Sequence, residues 1–246
     1  SKAYISILTE DNKYIYCLRY LRHRIYWNSI LTTALFSNYP DIDKLKVLLV
    51  AYYYQNWIAG ATVARIKQTS FNILTLVKAK EPIDKIYSEM KNSLIKYSTT
   101  KTFKEEIESS WVYGKNWDRA ILLLVEYFLT DDSKEKYIPI GNKLHLEHII
   151  PQTTTKEWEE IFTKDELNIW TNSLANLTLL SMRKNIQAQN YSFKKKVEAY
   201  QNKDNVVTSF LTTQYITGLP EWTIIELENR KKELIYNIMK RLDLFV

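Results

Sequence analysis

The sequence predicts a mainly α protein with a small α+β part. Three observations carry that reading: apolar residues recur near a 3.6-residue period through the first 130 positions, two short later stretches alternate instead, and a polar run from Asp131 to Lys136 separates the two textures. Only four Gly and five Pro in 246 residues, with 46% of residues hydrophobic and 25% charged, fit a globular chain and exclude disorder over most of its length. That length holds one large domain or two small ones, and the polar run divides it into an α-helical domain at 1–132 and a second domain at 133–246.

Residues 11 to 37 read as one long helix, because Tyr14, Ile15, Leu18, Leu21, Ile25, Ile30, Leu31 and Leu35 stay near the helical period until Pro40 follows. A second helix carries Leu45, Val47, Leu48, Leu49, Ala51 and Tyr52 until Gly60 interrupts it, and a third runs through Val63, Ile66 and Ile73. Another spans Ile83 to Tyr97. A short helix then has Thr102 and Glu105 at capping-box spacing, and Asn116 opens the next through Ala120, Ile121, Leu124, Val125 and Phe128. Beyond the polar run, Leu144 to Ile149 alternates as a short strand. Residues 156 to 170 make one or two helical turns around Trp158, Ile161, Phe162, Leu167 and Trp170, and Asn176 to Leu180 gives a second strand. Helix returns from about Lys184, again at Phe193 to Tyr200, and finally from Thr223, which stands at capping-box spacing from Glu226 just after Pro220. Two isolated strands are marginal alone, so these two must pack against helices.

The formal charge of +6 is mild, and it admits an anionic partner without deciding for one. The single cysteine, Cys17, lies among Tyr14, Ile15, Leu18 and Leu21 at helical spacing and reads as a buried thiol, which excludes an internal disulfide and a Cys-rich zinc site. No apolar run approaches the length of a membrane span and Ser1-Lys2-Ala3 begins no signal peptide, so the expectation is a soluble, cytoplasmic protein with no membrane partner. An opening on Ser rather than Met reads as part of a longer protein, or one trimmed at its start.

Both predicted strands carry unusual polar residues. Leu144-His145-Leu146-Glu147-His148-Ile149-Ile150-Pro151-Gln152 is followed at a distance by Asn176 and Asn185. Together these could serve phosphodiester hydrolysis, which needs an activated water, charge stabilisation at phosphorus and help for the leaving oxygen. A neutral imidazole takes a proton from water near neutral pH and such help contributes roughly 10²–10⁴-fold. A hard divalent cation held by oxygen ligands supplies electrostatic stabilisation. Consecutive residues point to opposite faces of a straight strand, so Glu147 and His148 reach one phosphate only if the strand ends there, and Pro151 is placed to end it. Asn176 is placed to bond backbone near His148, and Asn185 would offer a neutral carbonyl oxygen opposite Glu147.

Glu147-His148-Ile149-Ile150-Pro151-Gln152, then Leu174-Ala175-Asn176-Leu177-Thr178-Leu179-Leu180, then Asn185, resembles the HNH pattern of the His-Me-finger (ββα-metal) nucleases. Trp158 or Trp170 between the strands, Asn190 to Lys196 after them, and Trp222-Thr223 through Arg230 are similar to the C-terminal domain of GmrSD-type restriction endonucleases, prokaryotic defence enzymes that attack modified phage DNA. The resemblance covers about residues 140 to 235. It implies an HNH nuclease motif embedded among helices at 133–246, with His148 as general base, Asn176 as the asparagine that tethers the loop, and Glu147 and Asn185 as ligands of one Mg²⁺ or Mn²⁺. It also implies a DNA substrate and an N-terminal nucleotide-hydrolysing domain or subunit, of whose acidic, Gly-Gln-rich motif this chain shows none. Glu147 stands where Asp is common in the superfamily and Asn185 where His is common, which favours Mg²⁺ or Mn²⁺ over Zn²⁺.

Other readings compete. Arg183, Lys184, Lys194, Lys195 and Lys196 are candidates for DNA phosphates, although a charge run is as readily a solvated face. His145, three residues before His148, suits a surface or supporting position, and a zinc-protease reading fails because the His-Glu-x-x-His order is absent. The 18 Tyr and seven Trp fall mostly on helical apolar stripes, which makes them core before they are base-stacking platforms. A catalytically weak nucleic-acid or partner-binding module, and a nuclease acting on RNA or unmodified DNA, stay open as alternatives.

Overall fold

The computed structural model describes residues 2–129, 136–181, 190–201 and 210–244. They fall into two compact units. One holds the chain up to Glu106, a short return at 136–137 and the end of the chain from Met239; the other holds Ile107 to the end of the eighth helix and then Ile138–Ile238.

The first unit is helical: α1 (Lys2–Thr9), α2 (Lys13–Arg19), α3 (Arg24–Ser37), α4 (Ile42–Ile58), α5 (Val63–Lys78), α6 (Ile83–Lys96) and most of α7 (Thr99–Glu108). Its centre is α4, whose residues from Leu48 through Asn56 are buried around the whole circumference, as a helix enclosed by others must be. The single long helix expected over 11–37 is two. Asn12 caps α2 by accepting from Tyr14 N and Ile15 N, the chain breaks at residues 20–23, and α3 restarts at Arg24. The break rephases the apolar face: α3 buries Trp27, Ile30, Leu31 and Ala34, and leaves Ile25 66% exposed. Gly60 stops α4 as expected, with φ of 67°, the left-handed conformation that glycine adopts without strain. Thr102 lies inside α7 with its hydroxyl on Ser98 O, so no capping box forms with Glu105.

In the second unit α8 (Asp118–Leu129) begins two residues later than Asn116 suggested, where Gly114 N donates to the Asp118 carboxylate at 3.0 Å. The sheet has two strands, β1 (Leu144–His148) and β2 (Leu177–Ser181), antiparallel, with Leu144 opposite Ser181 and His148 opposite Leu177. Between them come α9 (Lys156–Ile161), α10 (Lys164–Trp170) and a 3₁₀ turn, Leu174–Asn176. Thr163 and Glu166 close a capping box on α10. After β2 come α11 (Phe193–Tyr200), α12 (Leu211–Thr217) and α13 (Ile224–Leu242), and the helix expected from Lys184 lies outside the described residues. Glu226 Oε2 accepts from Thr223 N at 2.9 Å ahead of α13, as its spacing predicted. Ile149, Ile150, Trp158, Phe162, Phe193 and Trp222 share one core, which presses the loop after β1 against the helices. Buried Glu126 of α8 accepts from Leu211 N and Thr212 N at the start of α12, a carboxylate at the positive end of a helix. Among the described residues no helix is long and apolar enough to cross a membrane.

Candidate active site

β1 stops at His148 because its partner changes character there. Beyond the Leu177 pairing, the chain facing residues 149 and 150 is the 3₁₀ turn, and Asn176 replaces ladder hydrogen bonds with its own. Asn176 O accepts from Ile149 N at 3.0 Å and its Oδ1 from Ile150 N at 2.8 Å, while Nδ2 donates to Ile150 O at 2.9 Å and Thr171 O at 2.8 Å. Asn176 is fully buried, and it ends the turn instead of heading the strand. The structure thus brings Asn176 against the two residues after His148.

Glu147 and His148 point apart, as consecutive strand residues do. Glu147 faces α11: Lys196 Nζ donates to its Oε1 at 2.6 Å and to His148 O at 2.5 Å, and Tyr200 Oη donates to the same carboxylate oxygen at 3.2 Å. Lys196 is 1% exposed, so it leaves the phosphate-binding set: its ammonium lies in the interior, paired with a carboxylate. Lys194 and Lys195 do stand exposed on α11. Burial lifts the Glu147 carboxyl, against the lowering effect of Lys196, and burial lowers the Lys196 ammonium, against the raising effect of Glu147. We take the pair as ionised, because the 2.6 Å contact and the Tyr200 hydroxyl both favour the carboxylate.

His148 is 9% exposed and faces residues that the sequence reading did not single out. Its Nε2 stands 3.1 Å from Asn172 Oδ1, and the Tyr113 ring lies against the imidazole with centroids 4.3 Å apart. Burial pushes the ring down to about 4, the Asn172 bond opposes that shift and the Lys196 charge adds to it, so the imidazole is neutral at neutral pH. His145 turns away, with Nε2 2.9 Å from Asn142 O. A signal for Lys196 did exist: Phe193, Lys196 and Tyr200 fall on one helical face, and the outer two are apolar or aromatic. Nothing local marks Asn172 or Tyr113.

Of the expected metal ligands, Asn185 lies outside the described residues, as do Arg183 and Lys184. Among the described residues no group of three or more His, Cys, Asp or Glu is arranged to hold an ion. Glu147 is the right type of donor for a hard cation, an anionic oxygen, but its side chain faces away from the His148 ring, so the strand end does not bring the two together as expected, and its Oε1 is already neutralised by Lys196.

Residues 97–236, more than half of the chain, match the family model of the GmrSD restriction endonuclease C-terminal domain. The chain belongs to that family. No curated protein matches it. A GmrSD restriction endonuclease domain is a nuclease with a DNA substrate, so the buried imidazole at the end of β1 sits in a chain whose chemistry is phosphodiester hydrolysis. The match reaches back to residue 97, which takes in Val112 and Tyr113, the segment that supplies the ring against His148.

Proposed function

We propose that this chain is an HNH endonuclease that hydrolyses DNA with His148 as general base, the nuclease half of a modification-dependent restriction or phage-defence protein. The observation that carries the reading is the clamp on His148: a neutral imidazole at a strand end, with the next two residues fixed by Asn176, in a chain of a restriction endonuclease family. A neutral ring can take a proton from water, less strongly than a free imidazole because burial disfavours its charged form, and the clamp fixes where it does so. Glu147 and Asn185 are the residues we assign to Mg²⁺ or Mn²⁺, which when bound would offset charge at phosphorus and on the leaving oxygen. Lys194 and Lys195, exposed on α11, are assigned to DNA phosphates, with Arg183 and Lys184 as further candidates. In this reading the nuclease is the second unit, which takes in residues 107–129 as well as those beyond the polar run at which the division was expected; modified phage DNA is the target, and a nucleotide-hydrolysing domain or subunit is the partner.

Plasmid nicking in Mn²⁺ tests it. His148→Ala should lower the rate roughly 10²–10⁴-fold. Equal nicking by both proteins would remove His148 from the reaction, and modified against unmodified DNA and RNA fixes the substrate. A second reading, a catalytically weak binding module, draws on one observation: Lys196 neutralises the carboxylate that a metal would need. Calorimetry with Mn²⁺ separates them, because such a module shows no heat that depends on Glu147.

A further inference from the structure

Asn172, two residues past the end of α10, joins three parts of the second unit. Its Oδ1 accepts from Gln152 Nε2 at 3.1 Å and stands 3.1 Å from His148 Nε2. Its backbone O accepts from Val112 N at 2.8 Å and Tyr113 N at 3.1 Å, and this places the Tyr113 ring 4.3 Å from the imidazole. One residue therefore meets both an edge of His148, through its side chain, and the segment that flanks the ring, through its peptide oxygen.

A neutral imidazole has one N–H and one lone pair, on different nitrogens. With Nε2 engaged by an amide oxygen that also accepts from Gln152, the hydrogen belongs on Nε2 and the lone pair on Nδ1. A water approaching the ring can then give its proton only to Nδ1. We propose that Asn172 is a positioning residue for the reaction: it holds His148 as the Nε2–H tautomer, presents Nδ1 as the accepting atom, and sets Tyr113 as the wall behind the ring. The inference rests on the reading of His148 as the base. As the water oxygen bonds to phosphorus its proton passes to Nδ1, the bond from phosphorus to the leaving oxygen breaks, and that oxygen takes a proton from solvent.

The test is the ¹⁵N spectrum of His148 in the whole labelled chain, since protonated and unprotonated ring nitrogens differ widely in shift and the readout needs no activity. The expected result is a protonated Nε2 and a bare Nδ1 in the wild type and in Asn172→Asp, which keeps an acceptor oxygen. Asn172→Leu should lose the single tautomer and lower kcat at least about 10-fold with KM nearly unchanged, as expected when only the orientation of a base is lost. A wild-type ring protonated on Nδ1 overturns the proposal, and so does an Asn172→Leu protein with tautomer and kcat intact. Should Asn172→Leu fail to fold, the wild-type tautomer decides. Full nicking by His148→Ala would instead overturn the assignment of the base and leave the tautomer result standing.

Discussion

Asn176 and Ile150 exchange two hydrogen bonds through one side-chain amide: Oδ1 accepts from Ile150 N at 2.8 Å and Nδ2 donates to Ile150 O at 2.9 Å. The amide takes the place of a strand neighbour, so β1 can end without orphaned backbone groups. Asn176→Ala would leave Ile150 N–H, Ile150 C=O and Thr171 C=O without that partner in a buried place. Unsatisfied buried groups cost about 1–3 kcal/mol each, so a loss of roughly 3 kcal/mol or more is expected in urea unfolding followed by tryptophan fluorescence. A loss below about 1 kcal/mol would mean that water replaces the amide at no penalty.

Lys194 and Lys195 differ from Lys196 in a way that binding measurements resolve. The first two are exposed and able to meet phosphates, while Lys196 is occupied by Glu147. Lys194→Gln with Lys195→Gln should weaken DNA binding and reduce the salt-dependence slope by about 0.9 for each phosphate that is no longer neutralised. An unchanged slope would return these two lysines to the solvated face that a charge run ordinarily is.

Most of the elements were legible because periodicity and stop signals are local. The two strands stood out by alternation against helices, and the Glu147-His148-Pro151 order placed the strand end within one residue of where it lies. The break at 20–23 was not legible, since Leu21 and Ile25 continue the spacing of Leu18, and only the packing of Trp27 shows that the face has turned. Within the site, His148 and Asn176 came from motif spacing. Asn172 and Tyr113 did not, because they meet His148 from 24 and 35 positions away and neither sits in a distinctive local pattern. Lys196 reads as a solvated cation when charge is weighed before helical phase, and as an interior residue when the order is reversed.

The His148 ring gives a pH signature with a definite sign. An unfolded histidine titrates near 6.5 and the folded ring near 4, so between those values the unfolded chain holds the extra proton and folding loses stability as pH falls. The contribution is fully present above 6.5, and its loss amounts to about 3 kcal/mol once pH has fallen past 4. Glu147, raised by burial, works in the opposite sense, because the folded chain takes its proton first. The ring itself is therefore the thing to follow: its NMR titration should be flat through pH 6.5 and move only toward pH 4. A midpoint near 6.5 would show that solvent reaches the imidazole freely.

If Glu147 holds the divalent cation as proposed, Lys196 must compete with that ion for the carboxylate, and the competition is measurable. Breaking a buried pair by removing one partner commonly costs about 3–5 kcal/mol, so Lys196→Met should be strongly destabilised, and Lys196→Met with Glu147→Leu should recover much of the loss. In the single variant Glu147 keeps its charge and loses its ammonium. If Glu147 is a metal ligand, Mn²⁺ then binds without displacing Lys196, and its affinity rises above that of the wild type. By linkage the same ion should restore stability to Lys196→Met more than to the wild type, and melting curves with and without Mn²⁺ show this directly. Equal stabilisation of both proteins would place the ion away from Glu147 and leave the pair with a structural task, the fastening of α11 to the end of β1.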